Sequence, residues 1–187
     1  MRDFLQISRE DIENDRIYVE RSGFNDQIMV SVAVSKLGKT SMFFVEPGAK
    51  VNGPYYRNHL LADMIPEMDT LANHQPYIFM QDGARSHTAT ETVEYLQSQQ
   101  HLDLIAPNEW PPNSPDLNPV DFCIWGKLKT NVYRGRRITS IEQLRAVLIE
   151  EWEKFPQSII DNCIDAFRGR LRRVIECEGM HIEKLYQ

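Results

Sequence analysis

Apolar and polar residues alternate over 27–35, so that Ile28, Val30, Val32 and Val34 share one face of an extended segment. Leu37-Gly38-Lys39 supplies a turn, and Ser41-Met42-Phe43-Phe44-Val45 reads as the hairpin partner. Shorter extended pieces are expected at 3–7 and 17–19. Pro47-Gly48 ends this pattern. From Asn52 the spacing predicts a helix with Tyr56, Leu60, Met64 and Leu71 roughly on one face, ended or kinked at Pro66. Residues 77–81 read as a buried central strand and 102–106 as a further short one. Between them, Thr88-Ala89-Thr90-Glu91 has the spacing of a capping box, which predicts a helix from about Thr88 to Gln99.

Five of the ten prolines fall between Pro107 and Pro119. They make a rigid connector; a flexible linker would be rich in Gly and Ser. Asn118 is a suitable cap and Pro119 a suitable first residue for a helix, which puts Asp121 in its first turn, where the helix dipole favours a carboxylate. The remainder is helical. Thr139 or Ser140 caps a stretch with Ile141, Leu144, Leu148, Trp152 and Phe155 on one face. Ile160, Cys163, Ile164, Phe167, Leu171, Val174 and Ile175 then keep a three–four spacing. Antiparallel strands followed by strand–helix alternation predict a mixed sheet with helices on its faces.

The chain has 187 residues, which favours one domain with a sizeable core. Its apolar runs are strand-length, so no membrane span is expected. Cys123, Cys163 and Cys177 are far apart and form no C-x-x-C pair, which points to buried thiols in a reducing compartment. The net charge of −6 argues against tight nonspecific binding to nucleic acid, but it is unevenly spread. Residues 1–120 carry 9 Lys+Arg against 17 Asp+Glu, and residues 121–173 carry 11 against 7. The basic part includes Arg134, Arg136 and Arg137, and a second group at Arg168, Arg170, Arg172 and Arg173. A basic flank beside an acidic site suits a polyanion; either cluster alone equally describes a solvated helix face.

The candidate chemistry lies in two carboxylates. Asp82 ends the apolar run 77–81 and Asp121 opens a helix, so separate rigid elements carry them. Magnesium takes oxygen ligands and needs only one or two carboxylates. Two such ions about 3.5–4 Å apart serve phosphodiester chemistry. An aspartate after a strand also caps turns, and one in a first helical turn is favoured electrostatically, so spacing alone leaves both readings open. Asp116 looks like a turn former. His87 is either a cap or an assistant at the site, and Trp110 and Trp125 are expected to pack.

Gln81-Asp82-Gly83-Ala84-Arg85-Ser86-His87 and the stretch from Trp110-Pro111 through Ser114-Pro115-Asp116-Leu117-Asn118-Pro119-Val120-Asp121 resemble the catalytic domain of mariner-like transposases of the DDE/D recombinase superfamily. The resemblance extends to Trp125-Gly126-Lys127-Leu128-Lys129 and to residues 45–56. It implies an α/β, RNase H-like mixed sheet, antiparallel then parallel, flanked by helices, with a helical tail over 139–180 in a single domain spanning 1–187. It also implies metal-dependent DNA cleavage and transfer with two Mg2+ or Mn2+ ions held by Asp82 and Asp121. The implied partners are transposon ends and target DNA, with a second copy of the chain, in the nucleus. Arg134, Arg136 and Arg137 are the DNA-binding candidates. The family's first metal aspartate lies shortly before an aromatic residue on the opening strand. If Phe4 is that aromatic, Asp3 is the nearest carboxylate, one strand position out of register. The chain therefore reads as a catalytic core trimmed at its start, expected to be inactive or nearly so by itself. The alternative is a transposase-derived, non-catalytic nucleic-acid-binding or scaffold protein.

Overall fold

The computed structural model describes residues 27–112, 114–179 and Ile182. The expected strands at 3–7 and 17–19, and Asp3 with them, lie outside the described residues. In chain order the elements are β1 (Val30–Ser31), β2 (Val34–Ser35), β3 (Gly38–Lys39), β4 (Phe43–Phe44), α1 (Gly53–Tyr55), a π-helical turn (Tyr56–Leu61) and α2 (Ala62–Leu71). β5 (Tyr77–Phe79), α3 (Arg85–Thr88), α4 (Thr90–Gln97) and β6 (Leu102–Leu104) follow. A 3-10 turn (Pro115–Leu117), a second π-helical turn (Val120–Ile124), α5 (Trp125–Tyr133), α6 (Ile141–Glu153) and α7 (Gln157–Glu176) complete the order. No described helix is long and apolar enough to cross a membrane.

The expected hairpin forms, with a shift in register. Val34 pairs with Lys39 and Ser35 with Gly38, whereas Val30 pairs with Phe44 and Ser31 with Phe43. One additional residue on the returning strand is a β-bulge, which interrupts the ladder at Ser41–Met42. Its released backbone groups find partners on two helices: Ser41 N donates to Glu67 Oε2 of α2 at 2.6 Å, and Trp152 Nε1 of α6 donates to Thr40 O at 2.8 Å. The turn falls on Lys36–Leu37. Gly38 has φ +151°, and a Cβ there would sit 2.7 Å from Leu71 Cδ2, so glycine lets the hairpin meet the end of α2.

The alternation over 28–34 gives the sheet two apolar faces. Ile28, Val30, Val32 and Val34 pack with Ile124, Leu128, Leu144, Leu148 and Trp152 of the C-terminal helices. Met29, Ala33, Phe43 and Val45 pack with Tyr56, Leu60, Met64, Ile65 and Met68 of the first helices. Among the described residues the strands form two antiparallel pairs in the hairpin and one separate parallel pair, and helices pack on both faces of the hairpin. β5 and β6 pair in parallel, Tyr77 with Leu102 through Phe79 with Leu104.

Four expectations are corrected. Pro66 does not end its helix, which runs on to Leu71. Residues 77–81 are not a buried central strand among the described residues: β5 pairs only with β6 there, and Ile78 is 71% exposed. The helix expected from Thr88 is split, because Ala89 is extended (φ −59°, ψ 133°) and Thr88 Oγ1 donates back to Ala84 O rather than capping α4. Cys123 and Cys163, expected far apart, lie side by side between the second π turn and α7, with Cα atoms 6.6 Å apart. On the tail, Ser140 is the cap, accepting from Gln143 N at 3.1 Å; Ile175 is exposed in spite of its spacing.

Candidate active site

Asp82 follows β5 where the chain leaves the sheet. Its Oδ1 accepts from Ala84 N at 3.0 Å, an Asx turn that reverses the chain into α3. The same oxygen lies 2.7 Å from His87 Nδ1. The His87 ring is 4% exposed, and burial pushes its pKa down to about 3, so the imidazole is neutral and donates Nδ1–H to the carboxylate. Behind it, Tyr56 Oη donates to Gln81 Oε1 at 3.0 Å and Gln81 Nε2 donates to His87 O at 3.2 Å.

Asp121 occupies the first turn after Asn118, as its sequence context predicts. Asn118 Oδ1 accepts from Val120 N at 3.0 Å, and Asn118 O accepts from Asp121 N and Phe122 N, each at 3.0 Å. The carboxyl is half-buried. Burial raises its pKa, and the bond with Asn118 only partly offsets this. Desolvation therefore outweighs the dipole advantage expected from its helical position.

A cavity of about 580 Å³ joins the two segments. Its wall includes Met80 and Gln81, directly before Asp82, and Asn118, Pro119 and Val120, directly before Asp121. The proline-rich connector is fastened from behind. Asp116 is 2% exposed; its Oδ2 accepts from Ile182 N at 2.8 Å, and its carbonyl accepts from Arg170 Nε of α7. The Arg170 guanidinium stacks 3.9 Å from the Phe122 ring, next to Asp121. Trp110, Leu117, Val174 and Ile182 form a buried cluster there, so Trp110 packs as expected.

Carboxylate oxygens suit a hard divalent ion, and it is the residues directly before Asp82 and Asp121, not the two carboxylates, that line the cavity. Among the described residues no group of three or more His, Cys, Asp and Glu side chains is placed to hold a metal. Of the basic candidates, Arg134 and Arg137 are exposed. Arg136 pairs with Glu151 at 2.7 Å and donates to Asn131 O at 2.8 Å, which closes the turn between α5 and α6. The sequence reading missed the buried bond from His87 to Asp82 and the Asp116 latch. Gln81, a polar residue ending an apolar run six positions before His87, was the available signal for the first.

Residues 13–145 match the family model of the DDE superfamily endonuclease. The chain is 33% identical over 103 residues to the Tcb2 transposable-element transposase of Caenorhabditis briggsae, covering 55% of this chain and 36% of the relative. It is 25% identical over 171 residues to the Tc3 transposase of Caenorhabditis elegans, covering 90% of this chain and 50% of the relative. The chain thus spans half or less of the length of these relatives. The fold is similar to that of the Mos1 transposase in its paired-end complex with the left transposon end, with a TM-score of 0.76 and 21% identity over 95% of this chain and 52% of that one. The Mos1 catalytic domain, also similar in fold, has been solved with Mn and with Mg.

Proposed function

The chain belongs to the DDE superfamily endonuclease family, and from that membership we propose that it is the RNase H-like catalytic domain of a Tc1/mariner-type transposase, built for metal-dependent cleavage and transfer of DNA strands. One observation carries this reading: the residues directly before Asp82 and Asp121 line the same cavity. The two carboxylates would hold Mg2+ or Mn2+, two ions in a complete site, and a bound ion would supply activation of the attacking oxygen and stabilisation of the leaving one. The chain's own part is to hold both carboxylates on stiff supports, Asp82 through an Asx turn and His87, Asp121 through the Asn118 cap.

Asp3 is proposed as the third carboxylate. The substrates proposed are transposon ends and target DNA, engaged by a homodimer in the nucleus. Arg134, Arg136 and Arg137 lie on the basic flank that would meet phosphates, with Arg136 contributing mainly by shaping the turn.

Incubation of the purified chain with Mn2+ and terminal-repeat DNA tests the reading. The expected outcome is slow, metal-dependent nicking, reduced to background by Asp82→Asn and by Asp121→Asn. Loss of either ligand from a metal site costs several kcal/mol of transition-state stabilisation, about a thousandfold in rate. Nicking that survives both substitutions contradicts it. Absence of nicking together with absence of Mn2+ binding contradicts it too, and favours the non-catalytic scaffold.

A further inference from the structure

The carboxylate at position 82 is the outer end of a buried polar chain. Tyr56 on the first π turn, Gln81 at the tip of β5 and His87 on α3 are each less than 7% exposed. Hydrogen bonds run from Tyr56 Oη to Gln81 Oε1 (3.0 Å), from Gln81 Nε2 to His87 O (3.2 Å), and from His87 Nδ1 to Asp82 Oδ1 (2.7 Å). The His87 ring also lies against the Tyr56 ring, with centroids 4.4 Å apart. Burying this many polar groups is costly unless each is bonded, and a satisfied chain of this kind fixes one arrangement of its members. Gln81 thus anchors the backbone of His87, the Tyr56 ring packs on its imidazole, and that imidazole contacts one carboxylate oxygen.

We propose that His87 is the positioning residue of Asp82: through Nδ1–H it fixes the plane of the carboxylate, so that a divalent ion meets a preset ligand. At 4% exposure His87 is too enclosed to meet substrate, and it acts through Asp82. Hydrogen-bond partners of metal-ligating groups commonly set affinity in this way. The inference rests on the metal-binding reading above, and its test separates the two.

Mn2+ alone is the probe, titrated calorimetrically into wild type, Asp82→Asn, His87→Phe and His87→Asn. Phe keeps a ring against Tyr56 but removes the donor; Asn restores a donor near the Nδ1 position. The expected result is loss of binding in Asp82→Asn, a weakening of about tenfold to a hundredfold in His87→Phe, and recovery to within about threefold of wild type in His87→Asn. Unchanged affinity in His87→Phe, with Asp82→Asn still defective, overturns the positioning role and leaves the metal site standing. A wild type that binds no Mn2+ overturns both. Should His87→Phe fail to fold, the imidazole 15N spectrum of the wild-type chain decides. Protonated Nδ1, with a resonance that moves on Mg2+ addition, is expected; the Nε2–H tautomer overturns the proposal.

Discussion

Asp82, Asp116 and Asp121 carry the same side chain into three environments. Asp82 is held at one oxygen by Ala84 N and His87 Nδ1. Asp121 sits half-buried over the Asn118 cap with its pKa raised by burial. Asp116, read from sequence as a turn former, does lie in a 3-10 turn, but its carboxylate is buried and accepts from Ile182 N. The turn was legible because Ser-Pro-Asp is local chemistry. The latch was not, since its donor lies 66 residues further along the chain. Asp116→Ala should leave that N–H buried without this acceptor and cost about 1–3 kcal/mol, the desolvation penalty of one orphaned donor. Asp116→Asn, which keeps an oxygen, should cost less. Chemical denaturation of the three proteins checks this; an unchanged midpoint for Asp116→Ala contradicts it.

At the scale of elements, periodicity located the hairpin, the helix after Asn52 and the C-terminal helices, because each buries a stripe with a regular period. It failed where the backbone departs from that period. The π turn over Tyr56–Leu61 brings Leu61 into the core beside Leu60, and the bulge at Ser41–Met42 shifts the hairpin register. Neither has a local sequence mark, since the partners that stabilise the bulge, Glu67 and Trp152, are on remote helices. β5 is anchored at its start in a comparable way: Tyr77 Oη donates to Asp69 Oδ1 at 2.9 Å. Burial, and then this bond, hold the phenol well above its ordinary pKa. Because the folded value is the higher one, the associated stability is full below about pH 10 and is lost as pH rises beyond it. The stability difference between wild type and Tyr77→Phe should therefore be constant up to about pH 10, near 0.5–1.5 kcal/mol for one hydrogen bond, and shrink above it. A difference that stays flat across that range in denaturation experiments contradicts the assignment.

At the scale of the molecule, the hairpin lies between two helical layers; the alternation over 27–35 revealed the face of Ile28, Val30, Val32 and Val34, whereas the packing of Met29 and Ala33 on the other face emerged only in the fold. Charge is divided along the chain: residues 121–173, which supply α5, α6 and most of α7, are net basic, whereas residues 1–120 are net acidic. What pattern could not supply is convergence. Asp82 and Asp121 are 39 positions apart, and only the tertiary arrangement places the segments before them on one cavity. The measurement closest to that claim is iron-directed backbone cleavage: Fe2+ is bound in place of Mg2+, peroxide and ascorbate are added, and the cut sites are mapped by mass spectrometry. Cuts at both 80–84 and 118–123, suppressed by excess Mg2+ and absent in Asp82→Asn, are the predicted result. Cuts confined to one of the two segments, or scattered over the surface, would contradict a shared metal site.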